Sequence, residues 1–282
     1  MSIIEEAVRK TAERYHRSAQ TEPAATGSRP RLRRVPPPAS EAANVRRFQP
    51  ITLDRGVLEE NNILPQLIDP GALRAYKILR TRMLRRLEAN QWHSFAVTGA
   101  TPGEGKTLTA INLAMALAQD SNTSVFLVDL DLQRPKVADY IGLNNSHGER
   151  GLTDFLLGDA TMEQIAYTPS SMERLTVIPN FQAVSNASDL LTSPRMSELV
   201  QLLEAEMPRR IVIFDMPPVL ASDDVLAFSP QVDGMLLVVA EGTTNRDALR
   251  SAKEMLQEMN LLGVVLNRSE AQDEAAYYSY AR

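Results

Sequence analysis

The chain has 282 residues, 44% of them hydrophobic, enough for one principal core with an arm or tail to spare. It has no cysteine, which excludes a disulfide framework, a thiol nucleophile and cysteine-ligated zinc and fits a reducing cytosol; His16, His93 and His147 lie too far apart in sequence to suggest a histidine metal centre. The net charge of −5 hides an asymmetry, because residues 1–50 carry ten Lys/Arg against five Asp/Glu and leave the rest at −10, for which no nucleic-acid partner is expected.

In chain order, residues 2–16 place Ile3, Ile4, Ala7, Val8, Ala12 and Tyr15 near one helical face and charges on the other, which predicts an N-terminal amphipathic helix over 1–16. It serves either as an arm on its own domain or as a docking helix for a partner. Residues 17–66, with Pro36-Pro37-Pro38 and Arg31, Arg33 and Arg34, read as a disordered Pro/Arg-rich linker. The folded domain is placed at 67–270. Helical periodicity over Ala72 to Leu87 leads to a strand at Phe95 to Val97, then a Gly-rich turn, then the helical Leu108-Thr-Ala-Ile-Asn-Leu-Ala-Met-Ala-Leu-Ala. Strands follow at Val125-Phe-Leu-Val-Asp-Leu-Asp, Leu175-Thr-Val-Ile, Arg210-Ile-Val-Ile-Phe-Asp, Met235-Leu-Leu-Val-Val-Ala and Leu262-Gly-Val-Val-Leu-Asn. Short helices at 151–158, 162–167, 188–207 (interrupted near Pro194) and 246–259 lie between them. This alternation predicts an α/β fold, a doubly wound, mostly parallel sheet with helices on both faces. Residues 271–282 form a polar tail with Tyr277, Tyr278 and Tyr280. No apolar run reaches the ~20 residues of a membrane span and no signal-peptide core is present, so the expected location is cytoplasmic, with any recruitment to the inner face of the membrane made by a partner.

The chemistry centres on Pro102-Gly-Glu-Gly-Lys-Thr107 between a strand and a helix. Such a turn offers backbone N–H groups and a helix N-terminus to phosphate, Lys106 for the β and γ phosphates, and the Thr107 hydroxyl for Mg²⁺. Thr101, Pro102, Gly103, Glu104, Gly105, Lys106, Thr107 and Leu108 are the candidate nucleotide-binding residues; Ala100 stands where the generic pattern has glycine. Asp129 and Asp131 at one strand end, and Asp215 at another, are the carboxylates available to a metal. Spaced two apart, Asp129 and Asp131 share one side of the strand if it continues extended, and either can then hold Mg²⁺ through water while the other accepts a proton. Singly, such acids are more often helix caps. The tail tyrosines are candidate phosphoacceptors or a packing clasp, and the ten residues from Asn267 to Tyr277 span about 33 Å when extended, far enough to reach a neighbouring subunit.

Three segments together, Ala100-Thr-Pro-Gly-Glu-Gly-Lys-Thr107, Leu127-Val-Asp-Leu-Asp131 with Arg134-Pro135, and Ile211-Val-Ile-Phe-Asp215-Met-Pro-Pro218, with the terminal tyrosines, resemble the bacterial tyrosine kinases (BY-kinases) of exopolysaccharide and capsule synthesis. The layout is most similar to the stand-alone, exosortase-associated autokinases. The resemblance implies a P-loop NTPase sheet and ATP with Mg²⁺ as cofactors. It gives Lys106 and the loop amides to the phosphates, Thr107, Asp129 and Asp215 to the metal, and Asp131 to catalysis with Lys106, as base towards the tyrosine hydroxyl. It makes Tyr277, Tyr278 and Tyr280 the acceptors and Asn267 an adenine contact. It also implies phosphorylation between subunits of a homo-oligomeric ring and activation by a membrane-embedded polysaccharide copolymerase of the chain-length-determinant kind.

Two positions depart from that family. Its subunit-contact motif Glu-x-x-Arg-x-x-Arg is Arg74, Lys77 and Arg80 here, and Gln133 stands where the family often has arginine. Two rival functions remain. A MinD/ParA-like positioning ATPase would carry a second lysine where this chain has Thr101. A non-catalytic, nucleotide-dependent scaffold of the polysaccharide machinery would keep the same binding residues.

Overall fold

The computed structural model describes residues 48–66, 69–143, 148–204 and 209–269. The amphipathic helix expected over 1–16, the linker up to residue 47 and the tyrosine tail lie outside the described residues.

Eight strands form one sheet: β1 (Gln49–Ile51), β2 (Ser94–Gly99), β3 (Ser124–Asp129), β4 (Tyr167–Pro169), β5 (Leu175–Ile178), β6 (Arg210–Asp215), β7 (Gly234–Ala240) and β8 (Leu261–Asn267). Their order across the sheet is β1-β4-β5-β3-β6-β2-β7-β8. Every pairing is parallel except β4 with β5. The central strands β2 and β6 are buried along their whole length, as expected of strands covered by helices on both faces.

Successive residues of a strand point to opposite faces, and the core divides accordingly. Phe126 and Val128 of β3 belong to one apolar cluster, and Val125 and Leu127 to the other. The second cluster holds α3 (Lys106–Ala118), whose run Thr109 to Ala118 is buried throughout, and the inner face of α2 (Pro70–Asn90), through Met83 and Leu87. Asp69 caps α2, accepting from the N–H groups of Gly71 and Ala72, ahead of Pro70 in the first turn. Of the three motif positions on α2, Arg80 is half-buried and donates to the carbonyl of Ala116 at 3.4 Å, so it braces α2 on α3, whereas Arg74 and Lys77 face outward.

The expected disordered linker is corrected over residues 48–66, which are folded. β1 pairs in parallel with β4, and Phe48 packs edge-on against Phe126. Helix α1 (Arg55–Glu60) is capped by Asp54, which accepts from Gly56 N and Val57 N. Leu58, Ile63 and Leu64 are buried, and Asn112 of α3 bridges to this segment by accepting from Leu64 N–H at 2.8 Å and donating to the Asn62 carbonyl at 3.1 Å. Three apolar side chains and a buried bridging amide outweigh the polar, Pro-rich composition around them. Five shorter helices, α4 (Val137–Ile141), α5 (Leu152–Leu157), α6 (Met162–Ile165), α7 (Ala187–Leu191) and α9 (Asp224–Phe228), and the longer α8 (Pro194–Glu204) and α10 (Arg246–Met255) complete the layers. No described helix is long and apolar enough to cross a membrane.

Candidate functional site

Strand order explains why distant motifs meet. β3, β6 and β2 are neighbours, so Asp129, Asp215 and the loop leaving Gly99 emerge side by side at the carboxyl ends of three adjacent strands. In register, Asp129 pairs with Asp215, and Asp215 with Val97.

The phosphate loop is held by its own side chains and by β8. Gly103 and Gly105 have φ of +80° and +87°, and Gly105 caps α3 in this left-handed conformation, which glycine adopts without strain. Ala100 is buried and is not among the positive-φ residues, so its methyl group is tolerated there. Glu104 is buried and its carboxylate accepts from Thr101 N (3.1 Å), Thr101 Oγ1 (2.9 Å) and Thr244 Oγ1 (2.6 Å). The side chains of Thr101 and Glu104 thus shape the loop. Asn267 Nδ2 donates to the Glu104 carbonyl (2.9 Å), and Arg268 donates to that of Gly103 (2.7 Å). The family resemblance implied only an adenine contact for Asn267; in the structure its amide braces the loop. What remains for an anion is the start of α3, with the N–H groups of Lys106, Thr107 and Leu108, and the Lys106 side chain, nearly buried beside Gly99.

The carboxylates differ in how they are satisfied. Asp129 Oδ2 accepts from Lys136 N (3.1 Å) and Val137 N (3.0 Å), while its Oδ1 is buried without a partner among the described residues. Burial first, then the Asp215 charge, pushes its carboxyl well above the usual carboxylate range, against the pull of those two N–H groups. Asp215 has both oxygens buried and without a hydrogen-bond partner among the described residues. Burial pushes it up to about 7, with the Thr107 hydroxyl, close by but outside hydrogen-bonding geometry, and the Lys106 ammonium pulling it down and Asp131 adding to the rise. Asp131 is half-buried and accepts from Arg134 N at 3.0 Å; burial raises its carboxyl, Lys106 opposes this and Asp224 adds to it.

Two buried carboxylates with oxygens to spare, set beside a threonine hydroxyl, form a donor set that fits a hard divalent cation. No three His, Cys, Asp or Glu side chains among the described residues make a metal shell by themselves.

Sequence reasoning missed Asp224. It opens α9, nine residues beyond Asp215, and is buried; its Oδ2 accepts from Gln133 Nε2 and Ser222 Oγ, both at 3.0 Å. The only available signal was an acid pair, Asp223-Asp224, after the Pro217-Pro218 turn, and nothing local distinguishes the buried member from the exposed one.

A family model described as an AAA domain matches residues 94–264. Tyrosine-protein kinase YwqD of Bacillus subtilis is 34% identical over 231 residues, a match covering 80% of this chain and 94% of that one. The chain belongs to the bacterial tyrosine kinases. Within that family, tyrosine-protein kinase wzc of Salmonella typhimurium is 29% identical over 218 residues, covering 74% of this chain but only 29% of the longer relative. Among solved structures, the chimerical protein CapA2B2 superposes with a TM-score of 0.66 at 27% identity, covering 79% of this chain and 94% of that one. The kinase domain of Escherichia coli tyrosine kinase ETK gives 0.62 at 28% identity, with 71% and 78% covered. The septum site-determining protein MinD of Pyrococcus horikoshii, complexed with Mg-ADP, gives 0.51 at 21% identity over 66% and 76% of the two chains, a likeness of fold alone.

Proposed function

We propose that this bacterial tyrosine kinase is an ATP- and Mg²⁺-dependent tyrosine autokinase that regulates the polymerisation, chain length or export of an exopolysaccharide. One observation carries the reading: Asp129 and Asp215 stand level on adjacent strands, with buried, unpartnered oxygens, at the mouth of a phosphate loop. Thr107, Asp129 and Asp215 hold Mg²⁺, which when bound neutralises charge on the β and γ phosphate oxygens. Lys106 and the first N–H groups of α3 bind those phosphates. The Asn267 carbonyl is left to contact adenine. Asp131 accepts the phenolic proton as the tyrosine oxygen bonds to the γ-phosphorus and the bond to the ADP oxygen breaks. The acceptors are Tyr277, Tyr278 and Tyr280, presented between subunits of a homo-oligomer.

The activator is a membrane-embedded polysaccharide copolymerase, which draws the kinase to the inner face of the cytoplasmic membrane. The amphipathic segment expected over residues 1–16 serves its docking. The test is to incubate the full chain with ATP and Mg²⁺, with and without the copolymerase's cytosolic tail, and to map phosphate by mass spectrometry. Phosphate on the three tyrosines is expected. Its absence in both conditions removes the kinase reading and leaves the nucleotide-dependent scaffold.

A further inference from the structure

Asp131 lies in a turn, Asp131 to Arg134, that is anchored in three places. Arg134 N–H closes it onto the Asp131 carboxylate and carbonyl, at 3.0 and 3.1 Å. Val184 N–H donates to the Leu132 carbonyl at 2.9 Å. The third anchor is Gln133, whose amide reaches across to Asp224 at 3.0 Å.

Asp224 itself stands on a rigid base. The loop between β6 and α9 is fastened to the strand that feeds the phosphate loop, with Met216 N–H donating to Val97, Val219 N–H to Gly99, and Thr98 Oγ1 to the Pro217 carbonyl at 2.7 Å. Leu130 N–H ties the start of this turn to the Asp215 carbonyl at 2.8 Å, and Gln133 is the side-chain link that fastens its far part to the loop beside the phosphate loop. Asp224 is buried, both donors to its Oδ2 are uncharged, and its Oδ1 has no hydrogen-bond partner among the described residues. Burying a carboxylate on neutral donors with one oxygen idle destabilises a fold, which points to a role other than stability.

We propose that Asp224 is a positioning residue for phosphoryl transfer, acting through Gln133 to hold the turn that presents Asp131 to the acceptor tyrosine. Asp224 touches neither nucleotide nor tyrosine. It fixes where the proton acceptor stands relative to the γ-phosphate, and an acceptor displaced by about 1 Å loses rate while nucleotide binding is left alone. The role rests on the kinase reading of the site, and it makes Gln133 a working part of the turn in the place where related kinases often have arginine.

The experiment uses the full chain as wild type, Gln133→Ala, Asp224→Ala, the double variant and Asp224→Asn. Initial rates of tyrosine labelling against ATP concentration are measured, together with Mg-ADP affinity, the thermal midpoint and hydrogen–deuterium exchange of the Arg134 amide. Each alanine variant is expected to lower kcat about 10- to 100-fold while KM and Mg-ADP affinity stay within about twofold. The double variant should be no worse than the poorer single one, because both break one link. Asp224→Asn keeps an oxygen for Gln133 and is expected to recover most of the rate. Faster exchange at Arg134 should accompany every loss. Unchanged kcat, multiplicative losses in the double variant, or a loss that follows the thermal midpoint with Arg134 still protected would each overturn the proposal. If the wild type labels no tyrosine, the kinase reading fails separately; Arg134 exchange then still decides whether Asp224 holds the turn.

Discussion

The side-chain amide of Asn267 donates to the Glu104 carbonyl at 2.9 Å, so the last residue of β8 grips the phosphate loop at its middle. A Cβ built on Gly105 would lie 2.0 Å from that same amide nitrogen, at a φ of +87°. Gly105→Ala is expected to weaken Mg-ADP binding about 100-fold, through strain and displacement of the brace together. Asn267→Ala, which removes one hydrogen bond, should weaken it about fivefold. Titration with a fluorescent ADP analogue measures both, and wild-type affinity in Gly105→Ala would show that the loop is not built this way.

Lys106→Met is expected to lower tyrosine labelling by about three orders of magnitude, because it removes the charge that meets the β and γ phosphates from a nearly buried position. Labelling that persists would mean the phosphates bind elsewhere.

The raised carboxyl of Asp215, at about 7, gives the nucleotide-free protein a defined response to pH. Between the ordinary carboxylate pKa, about 4, and 7 the native state binds more protons than the unfolded chain, so stability falls as pH rises through that window. Asp129 is raised by the same causes and acts in the same direction. Thermal melts without Mg²⁺ should therefore give a higher midpoint at pH 5.5 than at pH 8. Asp215→Asn should flatten this slope and stabilise the protein at pH 8, on the order of a few kcal/mol. A slope unchanged in the variant would assign the effect to other groups.

Asn112 joins α3 to the segment before α2 through Leu64 N–H and the Asn62 carbonyl. Asn112→Ala strands a buried donor and should lower stability by about 2 kcal/mol, or a midpoint shift of about 4 to 8 °C. Asp54→Ala removes an exposed helix cap instead and should cost about 1 kcal/mol. Equal effects of the two substitutions would show that the segment is not docked as described.

What the sequence made legible is what chemistry writes locally. The Gly-rich turn, the apolar runs carrying Asp129 and Asp215, and the strand–helix alternation are contiguous patterns that lie where they were expected, except that β3 ends at Asp129 and Asp131 falls in the turn that follows rather than in an extended strand. β1 and α1 were illegible because a three-residue strand needs its partner β4 and a six-residue helix is too short to carry a periodicity of its own. Asp224 was hidden for the same reason, since its partner Gln133 is 91 positions away. The double use of Asn267 belongs here too: a residue type suggests a ligand contact, but only the fold shows that its amide is already engaged.

β1 and β8 are the two rims of the sheet, separated by six strands and so by roughly 34 Å at ordinary strand spacing. The chain enters the folded domain at one rim and leaves it for the tyrosine tail at the other. The segments before Phe48 and after Ser269 therefore join the folded domain at opposite rims of the sheet.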